Sequence, residues 1–145
     1  KPNVIRSLYL AEGQLEKFNN SLLRKYKSIQ AQQQRWEELS LGGARLILVA
    51  YGTMSRIARN VVKRLNKEGK RVGLIRPITL WPFPKKAFMR NLSRVRCLVV
   101  EMSHGQMVED VELAVRGRAQ VEFFGRTGGG VPSEQEILKR LRRLI

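Results

Sequence analysis

Six consecutive apolar residues, Leu46–Tyr51 (LILVAY), break at Gly52 and give way to Ile57, Ala58, Val61, Val62 and Leu65 at helical spacing before Gly69. The run is too short for a core helix. Its Leu, Ile and Val content suits a strand covered on both faces, as strands of parallel sheets are. The pattern predicts strand, tight turn and helix over Arg45–Gly69, with Thr53 or Ser55 capping the first helical turn and Gly69 in the left-handed position after the last. Such a strand needs helices on both sides of its sheet.

The alternation continues to the end of the chain. A second strand over Arg71–Arg76 stops at Pro77, and Pro84 at a first helical position starts a short helix through Leu92. A third strand, Arg96–Glu101, precedes a helix carrying Met107, Val108, Val111, Ala114 and Val115. A fourth strand over Gln120–Phe124 leads to a last helix, in which Ser133 and Glu136 have capping-box spacing and Ile137, Leu138, Leu141 and Leu144 form the inner face. Four strand–helix pairs in succession predict an α/β fold: three layers, a mostly parallel sheet and helices on both faces. One segment, Ile78–Pro84 (ITLWPFP), fits neither element. Pro82 and Pro84 remove two backbone donors, while Trp81 and Phe83 are too apolar for a solvated loop, so the segment is expected to pack under something.

Upstream, residues 10–39 read as one long helix, with Leu15, Leu22, Ile29 and Trp36 spaced by sevens and Phe18 and Tyr26 between them. That stripe calls for a partner, in the same domain or on another subunit. Ser40–Gly43 is a polar, glycine-bearing break, which divides the chain into a helical arm, 1–42, and an α/β domain, 43–145. No apolar run approaches the ~20 residues of a membrane span, and Lys1–Arg6 lacks the apolar centre of a signal peptide, so a cytoplasmic setting is expected. The chain opens on Lys1 without an initiator Met, which suggests a piece of something longer. Its one cysteine, Cys97, lies inside a strand pattern and supports neither a disulfide framework nor thiolate metal ligation, so any electron-carrying cluster is expected on another chain.

Twenty-eight basic against 12 acidic residues give a net charge of +16, of which residues 41–145 carry +13. A field of that size attracts polyanions. The cations fall along helix faces (Arg56, Arg59, Lys63, Lys67; Lys139, Arg140, Arg142, Arg143) without the interleaved aromatics that stack bases. They read first as solvated faces and next as a docking surface for an acidic partner, with nucleic acid the least supported.

In an open parallel sheet the loops after the strand C-termini share one edge, so three glycine-bearing turns should converge there. They are Gly52-Thr53-Met54-Ser55, Ser103-His104-Gly105-Gln106 and the loop Gly125–Gly130. Helix N-termini and nearby arginines make Gly52, Thr53, Ser55, Arg126, Gly128, Gly129 and Gly130 anion-binding candidates. The dinucleotide spacing GxGxxG is missing from the first turn and the phosphate-loop sequence from the whole chain, so the same glycines also read as plain tight-turn residues. His104, the only histidine, can serve as an acid or base or as a capping and hydrogen-bonding group. Glu101, ending an apolar strand, either sits at a ligand edge or accepts from backbone amides of the next turn, and the second reading is preferred. No second carboxylate is placed to form a catalytic pair.

Four segments taken together, LVAYGTMSRIARNVV, GLIRPITLWPFP, LVVEMSHGQMVEDV and VEFFGRTGGGVPSEQEIL, resemble the C-terminal region of the alpha-type subunit of 2-oxoacid:ferredoxin oxidoreductases, in the 2-oxoglutarate and branched-chain branch. The resemblance covers about residues 35–144, and RPITLWPFP and E-x-x-x-GQM are its distinctive parts. It implies a domain like the C-terminal domain of transketolase, in a multi-subunit enzyme that decarboxylates a 2-oxo acid on thiamine diphosphate, reduces ferredoxin through iron–sulfur clusters and forms an acyl-coenzyme A. It further implies that thiamine diphosphate and Mg²⁺ are held mainly by the beta-type subunit, that clusters lie on another subunit or domain, and that this domain itself binds no cofactor and catalyses nothing. Ferredoxin would be met only indirectly, and no membrane is involved. Its contributions would be subunit packing and an active-site wall, with Arg76, Trp81, Phe83, Glu101, His104, Gly105 and Gln106 as candidates. A stand-alone anion- or nucleotide-binding module is the alternative.

Overall fold

The computed structural model describes every residue except 1, 3, 7 and 145. The chain forms two compact units, Lys1–Gln33 and Gln34–Ile145. In the first, α1 (Gln14–Gln32) follows Gly13 in the left-handed region. None of its residues is buried, and Tyr9 stacks on Phe18 with ring centroids 5.2 Å apart.

The helix expected over 10–39 stops at Gln32, and Trp36–Leu39 is instead a strand, β1. The heptad phase that placed Trp36 on a helix face is coincidental. As a strand it turns Glu37 to one side, where Arg59 and Arg76 donate to its carboxylate at 2.8 and 3.1 Å, and Glu38 to the other, where Arg90 donates at 2.7 Å. These partners are distant in sequence, so local periodicity does not reveal them.

The second unit continues with β2 (Leu46–Ala50), α2 (Gly52–Lys67), β3 (Val72–Pro77), β4 (Arg96–Glu101), α3 (Met107–Val115), β5 (Gln120–Gly125) and α4 (Glu134–Leu141). The sheet order is β1-β3-β2-β4-β5, with β1 antiparallel to β3 and the other pairs parallel. Val49 sits opposite both Ile75 and Val99, so alternate side chains of three strands align on each face. Ile47, Val49, Ile75, Cys97 and Val99 pack against α3 and Phe83, Phe88 and Leu92. Leu46, Leu48, Leu74, Leu98 and Val100 pack against α2 and α4. The expected α/β, three-layer architecture is present.

Three local expectations change. The helix from Pro84 to Leu92 is one 3-10 turn, Lys85–Phe88, because Asn91 accepts from the Ser93 amide and Arg94 enters the left-handed region, two turn features that compete with helix. Neither Thr53 nor Ser55 caps α2, since the buried Ser55 hydroxyl donates back to the Gly52 carbonyl at 2.7 Å. Trp81 is exposed rather than packed under another element, whereas its neighbour Phe83 does pack as expected, in the core and stacked on Phe88. Gly69 does take the left-handed position, at φ 77°.

The α4 capping box forms as expected, Ser133 accepting from the Glu136 amide at 3.2 Å and Glu136 accepting from the Ser133 amide at 2.9 Å. Ser133→Ala is expected to lower stability by about 1 kcal/mol, read as a shift in the denaturation midpoint. The same Ser133 amide, with the Ser133 hydroxyl and Arg126, holds the Glu136 carboxyl below its ordinary pKa. Because the folded-state pKa is depressed, this contribution is present at neutral pH and is lost as pH falls through the lowered value.

Cys97 is enclosed between α3 and the sheet, and burial pushes its thiol up to about 12. A thiol reagent at neutral pH should therefore leave it untouched in the native protein and label it at the rate of unfolding. Rapid labelling under native conditions would mean the strand opens locally.

Candidate functional site at the carboxyl edge of the sheet

β2 leads through α2 to β3 on one side, whereas β3 crosses back to β4 on the other, so the turns after β2 and β4 diverge from neighbouring strands. Ligands of open α/β sheets bind where connections part in this way. The edge is therefore built from the Gly52 turn, the Met102–Gln106 turn, the loop Ile78–Pro84 beyond β3 and the loop Arg126–Val131 beyond β5.

At the centre stands Glu101, fully buried at the end of β4. Its Oε2 accepts from the Ser103 hydroxyl at 3.0 Å and from the Gln106 and Met107 amides at 3.2 and 2.9 Å, and its Oε1 accepts from the Val108 amide at 3.0 Å. Those amides are donors that the first turn of α3 leaves without intrahelical partners. A carboxylate is tolerated there because four donors and the positive end of the helix dipole replace its water. The preferred reading of Glu101 describes the geometry, and it has a consequence for the second glycine turn. The α3 N-terminus already holds an anion, the protein's own.

Ser103 extends this network by accepting from the Gly105 amide at 3.2 Å. Gly105 has φ 106°, a conformation that side chains rarely adopt, which lets the chain reverse into α3. Its neighbours His104 and Gln106 point to solvent, and His104 has no hydrogen-bond partner among the described residues. Gly125 lies opposite Glu101 in the sheet, and a side chain there would come closer than 3.0 Å to the Ser103 carbonyl oxygen. Sequence alone singled out Gly125 only as part of a loop. A glycine ending an otherwise bulky strand, VEFFG, is the signal that was available.

The α2 N-terminus differs from that of α3. Gly52, at φ 53°, and Thr53 are exposed, and no side chain caps the helix. Arg126 pairs with Glu136 at 3.4 Å, and Gly128 and Gly129 form an exposed turn beyond it. Arg76 is drawn away from the Glu101 cluster toward Glu37 on the α2 side, leaving its Nε buried without a partner. The proposed residues thus fall into separate groups: Glu101 with the backbone of Gln106, Arg76 with Glu37, and Arg126 with Glu136.

The loop after β3 exposes Ile78 (50 %), Leu80 (45 %) and Trp81 (57 %), and the turn after β4 exposes Met102 (43 %). β3 and β4 are two strand spacings apart, about 10 Å. The loop is held rather than loose. The Ile78 and Thr79 amides donate to the Arg35 carbonyl at 3.0 and 3.2 Å, and the Thr79 hydroxyl donates to the Pro82 carbonyl at 2.9 Å. The ordered loop thus presents apolar side chains at this edge of the sheet.

Residues 44–137 match the family model of pyruvate:ferredoxin oxidoreductase core domain II. The chain belongs to this family. It is 40 % identical over 144 residues to the ketoisovalerate oxidoreductase subunit VorB of Methanothermobacter marburgensis, covering 98 % of this chain and 40 % of that protein. It is 36 % identical over 99 residues to the 2-oxoglutarate synthase subunit KorA of the same organism, covering 68 % of this chain and 26 % of that one. Among solved structures, it superposes with a TM-score of 0.76 on a 2-oxoglutarate:ferredoxin oxidoreductase from Magnetococcus marinus with 2-oxoglutarate, coenzyme A and succinyl-CoA bound, at 19 % identity, covering 93 % of this chain and 24 % of that chain. The core domain II chain therefore spans about 40 % of the VorB relatives' length.

The described residues contain no group of three or more His, Cys, Asp or Glu side chains placed to hold a metal, and Cys97 is buried alone. A single cysteine does not supply the thiolate set of an iron–sulfur cluster. No helix of the described residues is long and apolar enough to cross a membrane.

Proposed function

We propose that this chain is the core domain II portion of an alpha-type subunit of a thiamine-diphosphate-dependent 2-oxoacid:ferredoxin oxidoreductase, which converts a 2-oxo acid to an acyl-coenzyme A and reduces ferredoxin. In this reading it works without cofactors of its own. It packs against the beta-type subunit that binds thiamine diphosphate and against the cluster-bearing subunit, and contributes a wall near the active site. One observation carries the role: the ordered, partly apolar carboxyl edge formed by Ile78, Leu80, Trp81 and Met102, with His104 and Gln106 exposed beside them. Removing that apolar area from water would supply roughly 25 cal/mol per Å² toward assembly. The rigid Glu101 network holds the His104–Gln106 turn at a fixed height against a partner.

The test uses the full-length subunit co-purified with its partners. The assembly should reduce a dye or ferredoxin in the presence of a 2-oxo acid, thiamine diphosphate and coenzyme A, and an active assembly lacking 2-oxo acid dependence sinks the assignment. Trp81→Glu is expected to weaken subunit association at least tenfold in size-exclusion or sedimentation measurements while the subunit keeps its native circular dichroism. The alternative of an anion-binding module narrows to the uncapped Gly52–Ser55 turn. Saturable binding of phosphate or coenzyme A by the isolated chain, abolished by Gly52→Val, would favour it.

A further inference from the structure

The fold gathers cations that the sequence spreads out. Each helix after a parallel strand runs back toward that strand's start, so the C-terminal halves of α2 and α4 lie at the amino edge of the sheet, opposite the site described above. Arg96, the first residue of β4, confirms this placement by donating to the Leu144 carbonyl at 3.1 Å. Residues at the strand starts, Arg45, Arg71 and Arg96, and Arg94 just before β4, are all exposed at the same edge. Onto it opens a groove between α2 and α4. The groove, of about 590 Å³, is lined by Arg64, Lys139, Arg142 and Arg143, and beside it, on α2 alone, a depression of about 360 Å³ is lined by Lys63, Arg64 and Lys67.

Dipole compensation accounts for the position of part of this set, since Arg64 and Lys67 lie in the last turn of α2, Lys139 in that of α4, and Arg142 and Arg143 at the end of α4. It does not account for the missing counter-charges, because α2 contains no acidic residue at all. Lys63, Lys67, Lys139, Arg142 and Arg143 have no carboxylate partner among the described residues, and only Arg64 is paired, with Glu68 at 3.4 Å. Six like charges around one groove repel one another in the free chain, and an arriving anionic surface would relieve that repulsion. We infer that the amino edge of the sheet, with the α2/α4 groove, is a docking surface for an acidic protein, its carboxylates seated between Lys63, Lys67, Lys139, Arg142 and Arg143.

A protein fits better than a nucleic acid. The groove carries no aromatic side chain on which bases would stack, its floor is Leu138, and Glu68 and Gln135 interrupt it where a continuous phosphate chain would need cations. A partner with mixed charge accommodates these interruptions. This surface lies at the edge opposite to the proposed assembly contact and does not depend on the activity assigned there.

Zero-length carbodiimide cross-linking of the native, co-purified assembly, read by mass spectrometry, tests the proposal because it joins a lysine only to a carboxylate in direct contact. Lys63, Lys67 or Lys139 should become linked to Asp or Glu of another polypeptide, and raising the salt concentration before cross-linking should remove the links. Acetylation of the same three lysines should be slowed at least tenfold in the assembly relative to the separated subunit. Equal acetylation rates with no cross-links would overturn the inference and return the groove to a solvated face. In a parallel titration of the full-length subunit, a poly-glutamate peptide should bind more tightly than a single-stranded oligonucleotide of matched charge, and Lys63→Glu/Lys67→Glu/Lys139→Glu should weaken the peptide at least tenfold. The reverse order of affinities would overturn it in favour of nucleic acid.

Discussion

Replacing Glu101 by alanine is expected to destabilise the α/β unit by on the order of 3–5 kcal/mol. Three backbone amides and a hydroxyl lose their common acceptor, at about 1–3 kcal/mol for each donor left unsatisfied, and water entering beside the exposed His104 turn recovers part of the total. Packing loss is secondary, because the side chain is held by hydrogen bonds to Ser103, Gln106, Met107 and Val108. Glu101→Gln should fall between, since one of its two oxygens becomes an amide nitrogen that faces donors instead of accepting from them. Equilibrium denaturation provides the check, and a loss under about 1 kcal/mol for Glu101→Ala would mean that water replaces the carboxylate without penalty. Amide exchange adds a positional readout: protection should collapse first at Met107 and Val108, the opening residues of α3, and only later in β4.

Gly125→Ala should produce the second large effect, roughly 1–3 kcal/mol, from overpacking rather than from lost hydrogen bonds. The added methyl meets two obstacles at once, the Phe123 ring and the Ser103 carbonyl oxygen. The ring can rotate aside. The carbonyl belongs to the turn that Glu101 fixes, so it moves only if the Ser103–Glu101 bond and the reversal at Gly105 shift with it. The two substitutions should therefore be less than additive, because each disturbs the same turn. Additive losses in a double-mutant cycle would show that Gly125 and Glu101 act through separate structures. Gly128→Ala offers a contrast: Gly128 has φ 61°, whereas Gly125 ends an extended strand, and nothing surrounds Gly128 within 4 Å, so any loss there measures backbone strain alone.

Much of the architecture is legible in the residues. Leu46–Ala50, Arg96–Glu101 and the Gly69 and Ser133 boundaries follow from short apolar runs, a left-handed glycine and a capping box, all local features whose physics does not depend on the rest of the chain. β1 is not legible in this way. Four residues, WEEL, carry no strand signal of their own, and they become a strand because β3 offers an open edge and three arginines from elsewhere receive the two carboxylates. Trp81 and Phe83, two residues apart in one proline-bound loop, look equivalent in sequence. The turn around Pro82 sends one into the core and the other to the surface.

The layered α/β class, the position of the glycine turns and the carboxylate at the end of β4 follow from the residues alone, because periodicity, chain reversal and the exclusion of unpaired charge act over a few residues. What these features do depends on contacts made in the folded chain. Folding placed Glu101 within reach of the α3 amides, so the protein's own carboxylate occupies the helix N-terminus at the second turn. It left α2 uncapped, pressed Gly125 against Ser103, and carried cations from strand starts and helix ends, far apart along the chain, to one edge of the sheet. Those outcomes depend on which elements become neighbours, and that is fixed by burying both faces of the sheet at once.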